Sequence, residues 1–162
     1  MQASFIIRPA EPADVDAIYA MIFESAQFGG VEHLLVADAA MLGQALFGAS
    51  PGCEALVGCV DGAPVMIALF FHTFSSFQCR KSLYLEDLYV RPAARGLGYG
   101  KQMLATLAQL ALRRGCSRFE WGVMSWNDNA IRFYQGVGAD VLPDLRICRL
   151  SGAALAALSD AA

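Results

Sequence analysis

An α/β domain built on a mixed sheet is what the sequence predicts, and three features carry that expectation. Strand-like and helix-like segments follow one another in the order β-α-α-β-β-β-α-β-α-β. Two apolar runs are joined by Asp61-Gly62, a hairpin dipeptide. In the second half a strand, a Gly-rich loop, a helix and a strand succeed one another, an arrangement that builds ligand sites at strand ends. The chain has 162 residues, which fits one domain over 1–162.

The elements follow from local chemistry. Ser4 to Arg8 reads as a short strand stopped by Pro9. A helix should begin near Pro12, which a first turn tolerates, with Asp14 and Asp16 favourable at its positive end. Val15, Ile18, Tyr19, Ile22 and Phe23 give it one apolar face, and Phe28-Gly29-Gly30 ends it. A second helix is expected over Asp38 to Phe47, with Leu42 and Leu46 inward. Glu54 to Val60 and Pro64 to Phe71 are the hairpin strands, "FSSFQCRK" a loop, and Leu83 to Val90 the next strand. The helix from Gly100 to Arg114 carries a stripe of Met103, Leu104, Leu107, Leu110 and Ala111, and Gly115 is its stop. A strand (Arg118 to Met124), a short helix (Asn129 to Gln135), a Gly-rich turn and a last strand (Leu145 to Leu150) follow, and the alanine-rich tail can form a short helix.

Composition narrows the class. The longest apolar stretch, Ala63 to Phe71, is broken by Pro64 and is far shorter than the roughly 20 residues of a membrane span. The first residues lack the order of a signal peptide. A net charge of −3 disfavours a nucleic-acid partner. Cysteines 53, 59, 79, 116 and 148 are odd in number and scattered, as expected of reduced thiols in a cytoplasmic protein. The two histidines, His33 and His72, have no partners at ligand spacing, so no metal is expected. The apolar fraction of 56% exceeds the usual range of about 45–50%, which a large core or a covering second copy would explain; a homodimer is the expectation.

The segment from Val90 to Leu104, "VRPAARGLGYGKQML", gathers bare backbone and positive charge before a helix. A helix start leaves N–H groups unpaired and carries about half a positive charge. Gly96, Gly98 and Gly100 remove side chains and permit positive φ, while Arg91, Arg95 and Lys101 ring the loop with charge. A phosphate or pyrophosphate suits it. It is not a P-loop: Arg95 stands where the first glycine should be, and Gln102 where a hydroxyl should hold magnesium. A dinucleotide fingerprint is GxGxxG rather than GxGxG and needs a longer βαβ series after it, although Glu120 sits at a suitable distance.

Val90 to Gly100, "VRPAARGLGYG", closely resembles the acetyl-CoA-binding signature (Q/R)xxGx(G/A) of the GCN5-related N-acetyltransferases (GNAT). "IRPAEPADVDAI", "LYLEDLYV" and "WNDNAIRFYQGVGA", in this order, are similar to the diamine (spermidine/spermine) acetyltransferase branch. The resemblance covers nearly the whole chain. It implies a mostly antiparallel central sheet flanked by helices, acetyl-CoA as co-substrate, and a small primary amine as acceptor. It implies cofactor contacts from Leu88, Tyr89 and Val90, from Arg95, Gly96, Leu97, Gly98, Tyr99, Gly100 and Lys101, and from Asn127, Asn129 and Ala130. On their own chemistry Asn127 or Asn129 could simply cap a helix.

By the same resemblance Tyr134 is the general acid that protonates the CoA thiolate, and adjacent Phe133 is the core filler. Glu86 contacts the acceptor and accepts its proton; Asp87, Glu32 and Trp121 complete acceptor binding. Strand alternation places Glu86 and Asp87 on opposite faces. Two departures from the branch weaken the case for a polyamine: "FGGVEHLL" keeps only Glu32, and "FSSFQCRK" replaces acids by Ser75 and Ser76 and adds Arg80-Lys81. A shorter amine, or one bearing its own carboxylate such as a lysine analogue, suits that charge better. A peptide N-acetyltransferase and a non-catalytic acyl-CoA sensor are the rival readings.

Overall fold

The computed structural model describes residues 4–161. β1 (Phe5–Pro9) leads through a 3-10 turn at Pro12–Asp14 into helix α1 (Val15–Gly29). The Asp14 carboxylate fixes that turn by accepting two hydrogen bonds from Arg8, at 2.6 and 2.8 Å, and one from the Glu11 N–H at 2.7 Å. Gly30 closes α1 at φ 65°, a left-handed angle suited to glycine. Asp38 caps α2 (Ala39–Phe47) by accepting from the Met41 N–H at 2.8 Å. β2 (Glu54–Val60) and β3 (Ala63–Ser75) form the expected hairpin, with Asp61 at φ 48° and Gly62 at φ 84°.

β3 continues four residues past Phe71 and pairs with β4 (Arg80–Val90) down to Ser75 opposite Arg80. The segment expected to be a loop is therefore half strand, and the turn is confined to 76–79. α3 (Tyr99–Arg113) returns the chain to β5 (Arg118–Trp121), which pairs in parallel with β4. The sheet order is β1-β2-β3-β4-β5, antiparallel except for that last pair. No helix among the described residues is long and apolar enough to cross a membrane.

Both faces of the sheet are covered. Ile18 and Met21 of α1 and Leu42 and Leu46 of α2 pack on Val57, Cys59, Ile67, Leu69 and Tyr89. The opposite strand positions, Met66, Phe70, Leu83 and Leu85, are buried on the side of α3 with its Met103, Leu104 and Leu107. Each such side chain contributes about 1.5–3 kcal/mol of transfer free energy.

The chain divides into two compact units after Gly122. The second contains α4 (Asp128–Gly136) and α5 (Gly152–Ser159). The strand expected over Leu145–Leu150 does not form. A strand exists only through pairing, and no strand among the described residues pairs with this segment. β5 likewise stops at Trp121, three residues before its expected end.

Candidate active site

The acceptor side starts from a break in the β3–β4 ladder. Leu69 pairs with Asp87 and Phe70 with Leu85, so Glu86 is an extra residue on β4. Leu85 and Leu88 oppose Phe70 and Ala68, which lie on one face; Glu86 and Asp87 together oppose Leu69 on the other. The bulge thus corrects the expectation from alternation: both carboxylates share a face. Their nearness is electrostatic as well. Asp87 is pushed above its ordinary pKa, first by burial and then by the Glu86 charge. Glu86 itself is exposed.

That same face continues to Tyr84, opposite Phe71 on β3 and Glu120 on β5. The Tyr84 phenol is pushed upward by burial and then by Glu86 and Glu120. Sequence patterning gave no sign of Tyr84 and marked Glu120 only by its spacing after the Gly-rich loop; the parallel β4–β5 register brings them to the bulge. Cys53 also lies within electrostatic reach of Glu86 and Asp87, and burial with those charges raises its thiol pKa. A thiol held protonated is a poor nucleophile.

The donor side is made of backbone. β5 pairs with β4 only from Ser82 to Leu85, so beyond Glu86 that edge of β4 has no neighbouring strand in the sheet. The Arg91 N–H bonds to the Val65 carbonyl at 3.0 Å, across β3. Alternation along the strand then turns the peptide groups of Leu88 and Val90 to the open edge and those of Tyr89 to β3. Of the three residues expected to meet the cofactor's arm, Leu88 and Val90 turn their peptide groups to that edge, although the Val90 carbonyl already accepts from Arg95. Tyr89 instead buries its ring under α1 and α2.

Past Val90 the loop turns at Gly96, φ 76°, and Gly98, φ 82°. A Cβ added at either position would meet nothing within 4 Å, so these glycines serve the backbone angle and leave space outside. Gly100 lies inside α3 without positive φ. Gly98 is the N-cap of α3 and supplies no side-chain cap, so the first amides of the helix are left for an external acceptor. Tyr99 holds the turn by stacking on Phe5, with ring centroids 3.8 Å apart.

The three expected rim cations divide. Arg91 is committed to Glu24 at 2.9 Å and to the Pro64 carbonyl at 3.2 Å. Arg95 donates to the Val90 carbonyl at 2.8 Å and lies over the rings of Phe28 and Tyr89. Lys101 stays exposed.

In the second unit Asn127 caps α4, its side-chain oxygen accepting from the Ala130 N–H at 3.1 Å. Asn129 is engaged by Arg132 at 2.6 Å. Tyr134 is half-buried, and burial raises its phenol pKa. Phe133, expected to fill a core, is exposed instead, as α4 has no fully buried residue. Trp121 pairs with Leu85 and lies tilted against Phe119, ring centroids 4.8 Å apart, which puts it on the α3 face, away from Glu86 and Asp87. Glu32 sits exposed in a 3-10 turn after α1. Among the described residues no group of three or more His, Cys, Asp or Glu is placed to hold a metal ion.

A family model described as the Acetyltransferase (GNAT) family matches residues 18–139. The chain belongs to the GNAT acetyltransferase family. An L-ornithine N5-acetyltransferase of Arabidopsis thaliana is 31% identical, over 94% of this chain and 86% of its own. A thialysine N-epsilon-acetyltransferase of Mus musculus is 34% identical over 88% of each chain. Among solved structures, an integron cassette protein from the mobile metagenome of V. cholerae superposes with a TM-score of 0.79 at 24% identity, over 96% of this chain and 98% of its own. An aminoglycoside N-acetyltransferase in complex with CoA gives 0.74 at 14% identity, over 93% and 97%.

GNAT enzymes take their acyl group from acetyl-CoA, and this member's loop suits that donor. Glycine angles that turn amides outward, open space beside them and an uncapped helix start are what a diphosphate needs. The open β4 edge beside it can pair with an amide-bearing arm as an added strand would.

Proposed function

We propose that this GNAT enzyme transfers acetyl from acetyl-CoA directly to a primary amine of a small diamine or diamino acid. The observation that carries the reading is the β4 bulge: it sets two carboxylates on one face where the edge of β4 loses its neighbouring strand, on the same strand that leads into the Gly-rich loop. A carboxylate pair attracts an ammonium, and exposed Glu86 is the group to take its proton, directly or through water. The neutral nitrogen then attacks the thioester carbonyl; the N–C bond forms, the C–S bond breaks, and the thiolate leaves. Tyr134 supplies the proton to that thiolate, and its raised pKa keeps it protonated through neutral pH. The raised Cys53 pKa supports direct attack over an acyl-cysteine route. The names of the ornithine and thialysine acetyltransferases support an acceptor that is an amino acid with a second amine.

The homodimer reading has support in the second unit, where Leu142, Leu145, Ile147, Leu150 and Leu158 are exposed at 51–75%. An association surface would cover them. The cytoplasmic reading rests on the five unpaired cysteines.

The test is thiol release from acetyl-CoA across a panel of diamines, diamino acids and lysine-bearing peptides, with Tyr134→Phe beside wild type. Small amines should be acetylated, and the variant should keep acetyl-CoA affinity while turnover falls about 10²-fold or more. Turnover on peptides alone would favour the peptide-modifying reading, and no release with any acceptor the sensor reading. Unchanged turnover would remove Tyr134 from the chemistry.

A further inference from the structure

The face that holds Glu86 and Asp87 does not end at Tyr84. Opposite Tyr84 stands Glu120, and two residues before it on β5 stands Arg118, opposite Ser82. Arg118 and Glu120 point to that same face: the guanidinium lies 3.3 Å from the Glu120 carboxylate, and its Nε lies 3.4 Å from Ser82 Oγ. Their side chains are 42% and 34% exposed, so each keeps hydrogen-bonding capacity for something else. Going up the strand, a lane of charge therefore runs cation, anion, phenol, carboxylate pair. Glu120, level with Tyr84, is about 6–7 Å below Glu86 by strand rise. Arg80, one of the two cations that "FSSFQCRK" adds, is six residues from Glu86, or about 20 Å. The lane is not simply acidic, since Arg118 closes its lower end.

A diamino acid has the complementary order. Its reacting amine stands a few methylene groups from an α-carbon that carries both an ammonium and a carboxylate. We propose that Glu120 and Arg118 form the specificity end of the acceptor site, Glu120 taking the α-ammonium and Arg118 the α-carboxylate while the distal amine is delivered to Glu86 and Asp87. The exposed Arg118–Glu120 pair is worth little on its own, so a zwitterion can insert between its members at small expense. A forked guanidinium is also the side chain best matched to a carboxylate. Tyr84, between the two ends, lines the path of the methylenes and feels both Glu86 and Glu120. A plain diamine has no group for Arg118 and meets it as a like charge.

The inference rests on the amine-acetyltransferase reading above, and matched acceptors separate the two. L-Ornithine and 1,4-diaminobutane differ only in the α-carboxylate. Wild type should favour ornithine by about tenfold or more in kcat/KM, mostly through KM. Arg118→Ala should collapse that ratio toward one or invert it, and Arg118→Lys should restore part of it. Should Arg118→Ala fold poorly, Glu120→Gln reads the same site through a raised KM for ornithine. An acetylating enzyme whose ornithine-to-diaminobutane ratio is the same in wild type and both Arg118 variants overturns this inference and leaves the transferase reading intact. Failure to acetylate either amine overturns the underlying reading, and this one with it.

Discussion

From Val90 to Lys101 the groups offered to a ligand are peptide amides; from Glu86 down to Arg118 they are charged side chains. The two regions share β4, yet they are specified differently. The donor end depends on where side chains are missing, at Gly96 and Gly98, and on where a strand stops having a neighbour. The acceptor end depends on a single inserted residue and on the register of a four-residue strand. Backbone recognition suits a co-substrate common to a family, because amides are present whatever the surrounding sequence. Side-chain recognition leaves the acceptor adjustable by substitution at a few positions.

This contrast predicts separable losses. The largest belongs to Glu86→Gln, which removes the proton acceptor from the bulge: kcat should fall about 10²–10⁴-fold at saturating acetyl-CoA. The Kd for acetyl-CoA, read by calorimetry, should stay within about twofold, because no amide of the loop has moved. A matching loss of donor affinity would break the separation. The reverse experiment is Gly98→Val, which forces a branched residue to φ 82°. Left-handed strain of about 1–2 kcal/mol corresponds to roughly tenfold weaker acetyl-CoA binding, with acceptor KM unaltered at saturating donor.

What was legible beforehand follows the same division. Glycine and proline report backbone angles directly, so the Asp61-Gly62 hairpin, the stop after α1 and the donor loop could all be read from sequence. The bulge could not. Nothing in "LYLEDLYV" marks Glu86 as the residue left over; that follows only from pairing with β3, and it reverses the expected faces of Glu86 and Asp87. Arg118 escaped notice, and Glu120 was read only for its spacing after the Gly-rich loop, for a related reason: the parallel register of β5 against β4 is what lines them up with Ser82 and Tyr84. Leu145–Leu150 alternates well enough to suggest a strand, but alternation does not supply the partner a strand needs. Phe133 and Tyr134, as neighbours on a helix, differ in face, but local spacing does not tell which face is covered.

The smallest effect expected is a pair of opposite pH slopes. Asp14, bound by Arg8, has a lowered pKa, so its stabilisation is present above the ordinary carboxylate pKa and is lost as pH falls through the lowered value. Asp87 has a raised pKa, so the folded chain holds its proton longer than the unfolded one, and stability declines as pH rises through the window above the ordinary value. Thermal melts from about pH 3 to 7 should show Asp14→Asn removing the acid-side loss and Asp87→Asn removing the decline above it. Slopes of the same sign would mean that burial and the Glu86 charge do not hold the Asp87 proton in the folded chain.

The central claim, that bare amides before α3 grip the diphosphate of coenzyme A, is tested most directly by amide chemical shifts of the labelled protein. Titration with CoA should move the signals of Gly96, Gly98 and Gly100 most, whereas pantetheine, which lacks the diphosphate, should move Leu88 and Val90 and leave the glycines in place. Glycine signals that stay fixed with CoA, or that respond equally to pantetheine, would contradict it.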